Sequence, residues 1–322
     1  MKKFKVDTTL VVILSTLAIA LLLPISGEPA QVLGKVTSIG IFVLFFGYGA
    51  RLSSAEALAG LKNWRVHLAI VTSTFIVFPL LAVPILLIPD QVLSEPMRVG
   101  LVFLCLVPST VQSSITFTSL AGGNVAAAMV AATASNVLGV VLTPLLAMTF
   151  LPNTGGGSIG AGQLWGVFVQ LLLPFLLGQL SRYFTAGFMV RHKARLRYLD
   201  QAVICLIVYG AFSELRVSGV WRQVTVLDLV VVIVIIAILL SGMFSLTWTA
   251  GGWLGLDRAD RIAVMFCGTK KSLATGVPMA SVLFTGTIVS VLVIPLMFYH
   301  QAQLIVSSVL AGRLRRGGEE PT

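Results

Sequence analysis

Apolar residues occur in runs of about twenty along the whole chain, separated by short stretches in which Gly, Pro and charged residues collect. The runs cover 8–26, 34–51, 66–88, 98–119, 124–150, 162–183, 199–215, 227–251, 261–285 and 287–311. At 1.5 Å per residue each is long enough to cross a hydrocarbon core of about 30 Å as a helix. The pattern predicts an all-α polytopic membrane protein with ten transmembrane helices. The connections are short, and the longest polar one, Pro152-Asn153-Thr154-Gly155-Gly156-Gly157, falls between the fifth and sixth runs. It divides the chain into a first five-helix repeat at 1–151, a flexible linker at 152–161, a second five-helix repeat at 162–312 and a cytoplasmic tail at 313–322.

Composition agrees with this pattern and narrows it. Of 322 residues 57% are hydrophobic and 11% charged, against roughly 25% charged in a soluble domain. The mean hydropathy is +0.98. So little charge cannot cover a water-facing globule, which excludes a soluble enzyme, a secreted disulfide scaffold and a disordered tail. Cys105, Cys205 and Cys267 all lie inside apolar runs, without disulfide or metal spacing. The segment Lys2, Lys3, Lys5 followed by Leu10 to Leu23 imitates a signal peptide. It lacks a clean small-x-small cleavage site and reads as the first helix.

A net charge of +10 raises the question of nucleic acid, but the cations sit in clusters between the runs, which is a record of topology. With both termini in the cytoplasm, 16 basic residues fall inside: Lys2 to Lys5, Arg51 to Arg65, Arg182 to Arg197, Arg258 and Arg261, and Arg313 to Arg316. Four fall outside, namely Lys35, Arg98, Arg216 and Arg222. This bias predicts an even number of spans, a multi-pass protein of the cell (inner) membrane and a lipid bilayer, not nucleic acid, as its partner. Five spans per half then place the second repeat inverted with respect to the first.

Two cations belong to neither side. Lys270 and Lys271 are adjacent in the middle of the ninth run, about nine residues or roughly 13 Å beyond Arg261. Each costs about 2.5–3.5 kcal/mol at mid-membrane on the insertion scale, and such residues mark substrate paths, ion sites or proton relays. The bland reading is snorkelling to an interface, for which both are deep. The same run contains Gly268 and Gly276, and the fourth run reads Pro108-Ser109-Thr110-Val111-Gln112-Ser113-Ser114. Pro and Gly at mid-span interrupt a helix. Each interrupted run is fourth in its half, and each opens Arg-x-x-x-x-Phe, Arg98 to Phe103 and Arg261 to Phe266, at an offset of 163. Broken helices at matching places in inverted halves point to a secondary-transporter binding site. Two kinked structural helices are the competing reading.

At these residues the sequence resembles the bile acid:sodium symporter family, and more closely its symporter-like branch. The resemblance rests on PSTVQSSITFTSLAGGN (Pro108 to Asn124), LGVVLTPL (Leu138 to Leu145), LPFLLGQ (Leu173 to Gln179), FCGTKKSLA (Phe266 to Ala274) and PLMFYHQAQ (Pro295 to Gln303). It implies ten helices in two inverted five-helix repeats, with unwound fourth and ninth helices that cross beside sodium sites and a substrate cavity. The implied activity is secondary active transport of an organic anion by alternating access, without enzymatic chemistry. The chain departs from the sodium-coupled pattern, however. The family's glutamate falls on Phe266, its Gln-Asn pair on Lys270 and Lys271, and its sodium-ligating hydroxyls near Ala128 and Ala132. No metal site is expected, and sodium or a proton is the coupling ion left open.

Three mechanisms fit. A lysine ammonium substitutes for sodium and pins the crossing. Alternatively, burial and a like-charged neighbour let one lysine load and release a proton. In the third, the pair holds the anionic group of a small organic substrate. Candidate ligands are Ser109, Thr110, Gln112, Ser113 and Ser114 in the fourth run, Thr133, Ser135 and Asn136 in the fifth, and Thr269, Lys270, Lys271 and Ser272 in the ninth. His300 and Gln301, with Gln303 nearby, are further candidates in the tenth; Tyr209, Ser213 and Glu214 suggest an outer vestibule. The rival readings are a sodium-coupled symporter and a non-transporting regulator of ion homeostasis. A membrane-embedded enzyme lacks its motifs, HExxH and GxSxG included.

Overall fold

The computed structural model describes residues 8–51, 63–151, 165–219, 225–284 and 288–316. The expected linker at 152–161 and the cations Lys2, Lys3, Lys5, Lys62 and Arg222 lie outside these residues. Among the described residues there is no strand. The helices are α1 (Thr8–Leu22), α2 (Glu28–Arg51), α3 (Trp64–Leu86), α4 (Glu95–Leu106), α5 (Gln112–Leu120) and α6 (Val125–Phe150). They continue with α7 (Trp165–Arg191), α8 (Lys193–Ser218), α9 (Val226–Trp253), α10 (Arg258–Gly268), α11 (Leu273–Leu283) and α12 (Ile288–Arg316). The seven helices α2, α3, α6, α7, α8, α9 and α12 are long and apolar enough to cross a membrane, and α1 is a shorter apolar helix. The fourth and ninth runs each form two short helices, α4 with α5 and α10 with α11.

Local chemistry sets the helix ends. The first run was expected to reach residue 26, but α1 stops at Leu22, just ahead of Pro24, because a residue preceding proline disfavours helical torsions. Helix α2 starts at Glu28, earlier than the expected 34, after Gly27 turns the chain at φ 66°. Its first turns are polar, so hydropathy undercounts it. Asn124 caps α6 by accepting from the Ala127 N–H at 3.0 Å. Thr225 and Asp228 form a reciprocal capping box on α9. Helix α12 continues to Arg316, into the expected tail.

Two compact units emerge from the packing. One holds the described residues of 1–51, 153–224 and 277–291, the other those of 52–152, 225–276 and 292–322. In the first unit α2 and α7 meet through glycines. A Cβ on Gly49 would lie 2.0 Å from the Phe175 carbonyl oxygen, and one on Gly178 2.0 Å from that of Phe46. Only glycine allows backbones so close, the usual means of helix association where water supplies no driving force. Arg51 grips Asp200 of α8 with two bonds of 2.7 and 3.1 Å. This unit also has an open cavity of about 620 Å³ lined in part by Thr37, Ser38, Gln170 and Glu214. In the second unit, alanines at 127, 128, 131 and 132 of α6 form a dry seam with Val66, Ile70, Ala263, Val264 and Cys267.

Candidate functional site

The site lies wholly within the second unit, where the breaks at 107–111 and 269–272 meet. Pro108 has no N–H to continue α4, and Val107 already turns extended at ψ 155°. A broken helix leaves carbonyls without intrahelical donors, and in a dry interior each needs another. Five consecutive carbonyls find one. Cys105 and Val107 accept from Lys271 Nζ at 2.9 and 2.8 Å. Leu106 accepts from Thr143 Oγ1 at 3.0 Å, Pro108 from the Ser272 N–H at 2.8 Å, and Ser109 from Asn136 Nδ2 at 2.8 Å. The Ser272 to Pro108 bond joins the two breaks directly, backbone to backbone.

The second break is satisfied in the same way from the other side. Ser109 Oγ donates to the Cys267 carbonyl at 2.6 Å, Ser114 Oγ to that of Phe266 at 3.4 Å, and Tyr299 Oη to that of Thr269 at 2.7 Å. Gln303 serves the main chain of Lys271 twice. Its Oε1 accepts from the Lys271 N–H and its Nε2 donates to the Lys271 carbonyl, both at 2.9 Å. That pairing fixes the orientation of the amide, so Nε2 also donates to His300 Nδ1 at 2.9 Å and the imidazole proton belongs on Nε2 of the ring. Ser272 caps α11 by accepting from the Thr275 N–H at 3.1 Å, and Thr275 Oγ1 reaches Asn136 Oδ1 at 2.7 Å.

Both lysines are fully buried at 0% exposure, yet their ends differ. Lys271 Nζ donates to three backbone carbonyls, the third being that of Thr74 at 3.1 Å, and lies 4.0 Å from the centre of the Phe78 ring. The Thr74 oxygen is free for a reason that can be traced. Residues Ser73–Val77 of α3 form a π turn, in which a carbonyl pairs with the N–H five residues on. Phe78 N–H goes to Ser73, and the next N–H in line would be that of Pro79, which has none. Cys105 is orphaned by a parallel route, because the Ser109 N–H donates instead to Ser135 Oγ at 3.1 Å. Lys270 Nζ has one hydroxyl, Ser307 Oγ at 2.5 Å, and two rings, Phe117 at 4.5 Å and Phe266 at 5.7 Å.

A hydrogen bond from a charged group contributes about 1.5–3 kcal/mol. Three of them outweigh the roughly 2.5–3.5 kcal/mol of holding a lysine at mid-membrane, whereas one only matches it. The end of α4 also directs its partial negative charge toward Lys271. Lys271 is therefore the better seated of the two side chains and Lys270 the more weakly held.

Of the residues expected from sequence, Ser109, Ser114, Ser135, Asn136, Thr269, Lys270, Lys271 and Ser272 come together at the crossing. Thr110 and Ser113 bond one another at 2.6 Å beside it. Gln112 is exposed, and Thr133 bonds only its own helix at Met129, 2.8 Å away. His300 joins through Gln303, while Gln301, half-buried, has no place in this network. Ala128 and Ala132 are both 0% exposed in the α6 seam, where packing replaces any hydroxyl. In the first unit Glu214 lines the cavity, and Tyr209 bonds the Leu23 carbonyl at 2.8 Å. The sequence reading passed over Thr74, Thr143, Thr275 and Ser307. Tyr299, Gln303 and Ser307 recur every four residues, so a polar stripe on one face of α12 was the available signal.

The sequence pattern of the SBF-like CPA transporter family matches residues 7–316. A Pseudomonas aeruginosa protein described as uncharacterized is 43% identical, over 98% of this chain and 94% of its own. The Escherichia coli K12 protein named "Putative symporter YfeH" is 39% identical, over 99% and 96%. Sodium/bile acid cotransporter 7 of Danio rerio is 31% identical, over 89% and 86%.

Proposed function

The chain belongs to the SBF-like CPA transporter family, and from that premise we propose that it carries a small organic anion across the cytoplasmic membrane by alternating access, without sodium. A symporter-like transporter in a multi-pass membrane protein is what the family establishes; the cargo, the ion and the motion are the proposal. One observation supports it above the others. Two lysines with no exposure lie where two broken helices bond to one another, and the resemblance puts the sodium-coupled pattern's Gln-Asn pair at these positions. The crossing oxygens of Thr74, Cys105 and Val107 already hold an ammonium, and a hard cation seeking oxygens would have to displace it. Lys270, held by one hydroxyl and two rings, is the group free to exchange partners with a carboxylate or sulfonate.

Topology enters the same reading. Ten spans follow if α1 crosses together with the seven long helices and each broken pair crosses once. The cation bias favours both termini inside. The division into two inverted repeats draws support from the broken pairs, each fourth in its half. The bile acid in the name of the zebrafish relative is itself an organic anion.

Purified protein in liposomes tests the proposal. Counterflow of a panel of amphipathic carboxylates and sulfonates is expected at equal rates in sodium, potassium and choline media, and Lys270→Ala is expected to abolish it. Uptake that requires sodium would overturn the ion assignment. No uptake of any anion would return the protein to a non-transporting role.

A further inference from the structure

The oxygens around Lys271 are a site in their own right. We propose that the Thr74, Cys105 and Val107 carbonyls with the Phe78 ring form a binding site for a primary ammonium, filled in the native chain by the tethered side chain of Lys271. The inference rests on the reading that a lysine stands in sodium's place, and it identifies which lysine and which atoms.

Three features carry it. The distances of 3.1, 2.9 and 2.8 Å suit N–H donors, whereas oxygens around a calcium ion approach to about 2.3–2.6 Å. A primary ammonium has three N–H groups, and the site offers three acceptors, one to each. The Phe78 ring at 4.0 Å presents a π face to the charge.

The oxygens are also available independently of the lysine. The Thr74 carbonyl is freed by the π turn and Pro79, the Cys105 carbonyl by the diversion of the Ser109 N–H to Ser135, and the Val107 carbonyl by the extended torsions before Pro108. Backbone conformation makes each acceptor, so the site outlasts removal of the side chain. Beyond its Cβ a lysine is a propylammonium ion. Truncation to alanine leaves a space matched to that ion in length and charge.

The test is thermal unfolding of the detergent-purified full chain carrying Lys271→Ala, in n-propylammonium chloride, choline chloride and n-propanol at matched concentrations. A ligand that binds only the folded state raises stability with its concentration. Propylammonium is expected to restore about half of the lost Tm in a saturable manner, with no such gain from choline or propanol and none in wild type or Lys270→Ala. Equal rescue by propanol would show that volume alone is being filled and would overturn the proposal, as would no rescue at all.

Should Lys271→Ala fail to fold, Pro79→Ala takes its place, since it supplies an N–H that competes for the Thr74 oxygen. It is expected to lower Tm in wild type and to leave Lys271→Met unchanged. An equal loss in both backgrounds overturns the site. Anion flux in liposomes reports separately: flux without amine rescue removes the ammonium site and keeps the transporter, and rescue without flux does the reverse.

Discussion

Lys270 and Lys271 are neighbours in sequence and equally buried, but the materials around their ends are different. The Lys271 ammonium lies among three main-chain carbonyls from α3 and the α4 break, whereas that of Lys270 meets a serine hydroxyl and two phenylalanine faces. Main-chain acceptors are fixed by the path of the backbone and cannot turn away. A hydroxyl and two rings belong to side chains that rotate. The difference teaches that of two equally buried side chains one can be built into the backbone while its neighbour rests on groups that can turn away, and that burial alone does not tell them apart.

Removing each cation should break the comparison most sharply. Lys271→Ala leaves three orphaned carbonyls and a void, and is expected to cost about 3–5 kcal/mol, at about 1–3 kcal/mol for each buried acceptor left unpaired, offset in part because a charge is no longer buried. Lys270→Ala should cost far less stability and abolish flux; unfolding curves and liposome uptake of the two variants together check this. Equal stability losses would erase the distinction. Next in size is Gln303→Leu, which unpairs both main-chain groups of Lys271 at about 1–3 kcal/mol each. A loss on the order of 2–4 kcal/mol in thermal unfolding is expected, and a loss near zero would mean that the unwound segment finds other partners.

Ser307→Ala removes the single hydroxyl from Lys270 and should cost about 1.5–2 kcal/mol. Its effect on the rate of anion uptake should be the larger one, measured against Ser307→Thr as the conservative control. The smallest effect belongs to Thr133→Val. Its hydroxyl only returns to Met129 on its own helix, so both Tm and uptake should change by no more than about 0.5 kcal/mol equivalent. A strong transport defect there would extend the site along α6 beyond Asn136.

Much of the candidate site is legible in the sequence. Two lysines amid apolar residues and Pro108 in a polar run are local signals, and local signals are what hydropathy and torsional preference read. Ser109, Ser114 and Ser272 followed because polar residues beside a break tend to satisfy it, and Asn136 because it is a polar residue in the middle of the next apolar run. Thr133 and Gln112 stand apart from the network at the breaks: the Thr133 hydroxyl bonds Met129 of its own helix, and Gln112 is exposed. It passed over Ser307 and Thr74 because neither stands beside a break. The helix ends at Leu22 and Glu28 differed from the apolar runs for a related reason, since a helix need not stop where its hydrophobicity does.

By itself the sequence determined an all-helical membrane chain, two interrupted helices and a pair of cations too deep to reach water. Those outcomes depend on side-chain chemistry taken a few residues at a time. The tertiary structure decided which lysine is held and by what, because the acceptors are backbone oxygens that every residue type carries alike. Their availability depends on a π turn at Ser73–Val77, an extended step at Val107 and a diverted N–H at Ser109. Thr74 meets a side chain 197 positions along the chain only when those segments fold together.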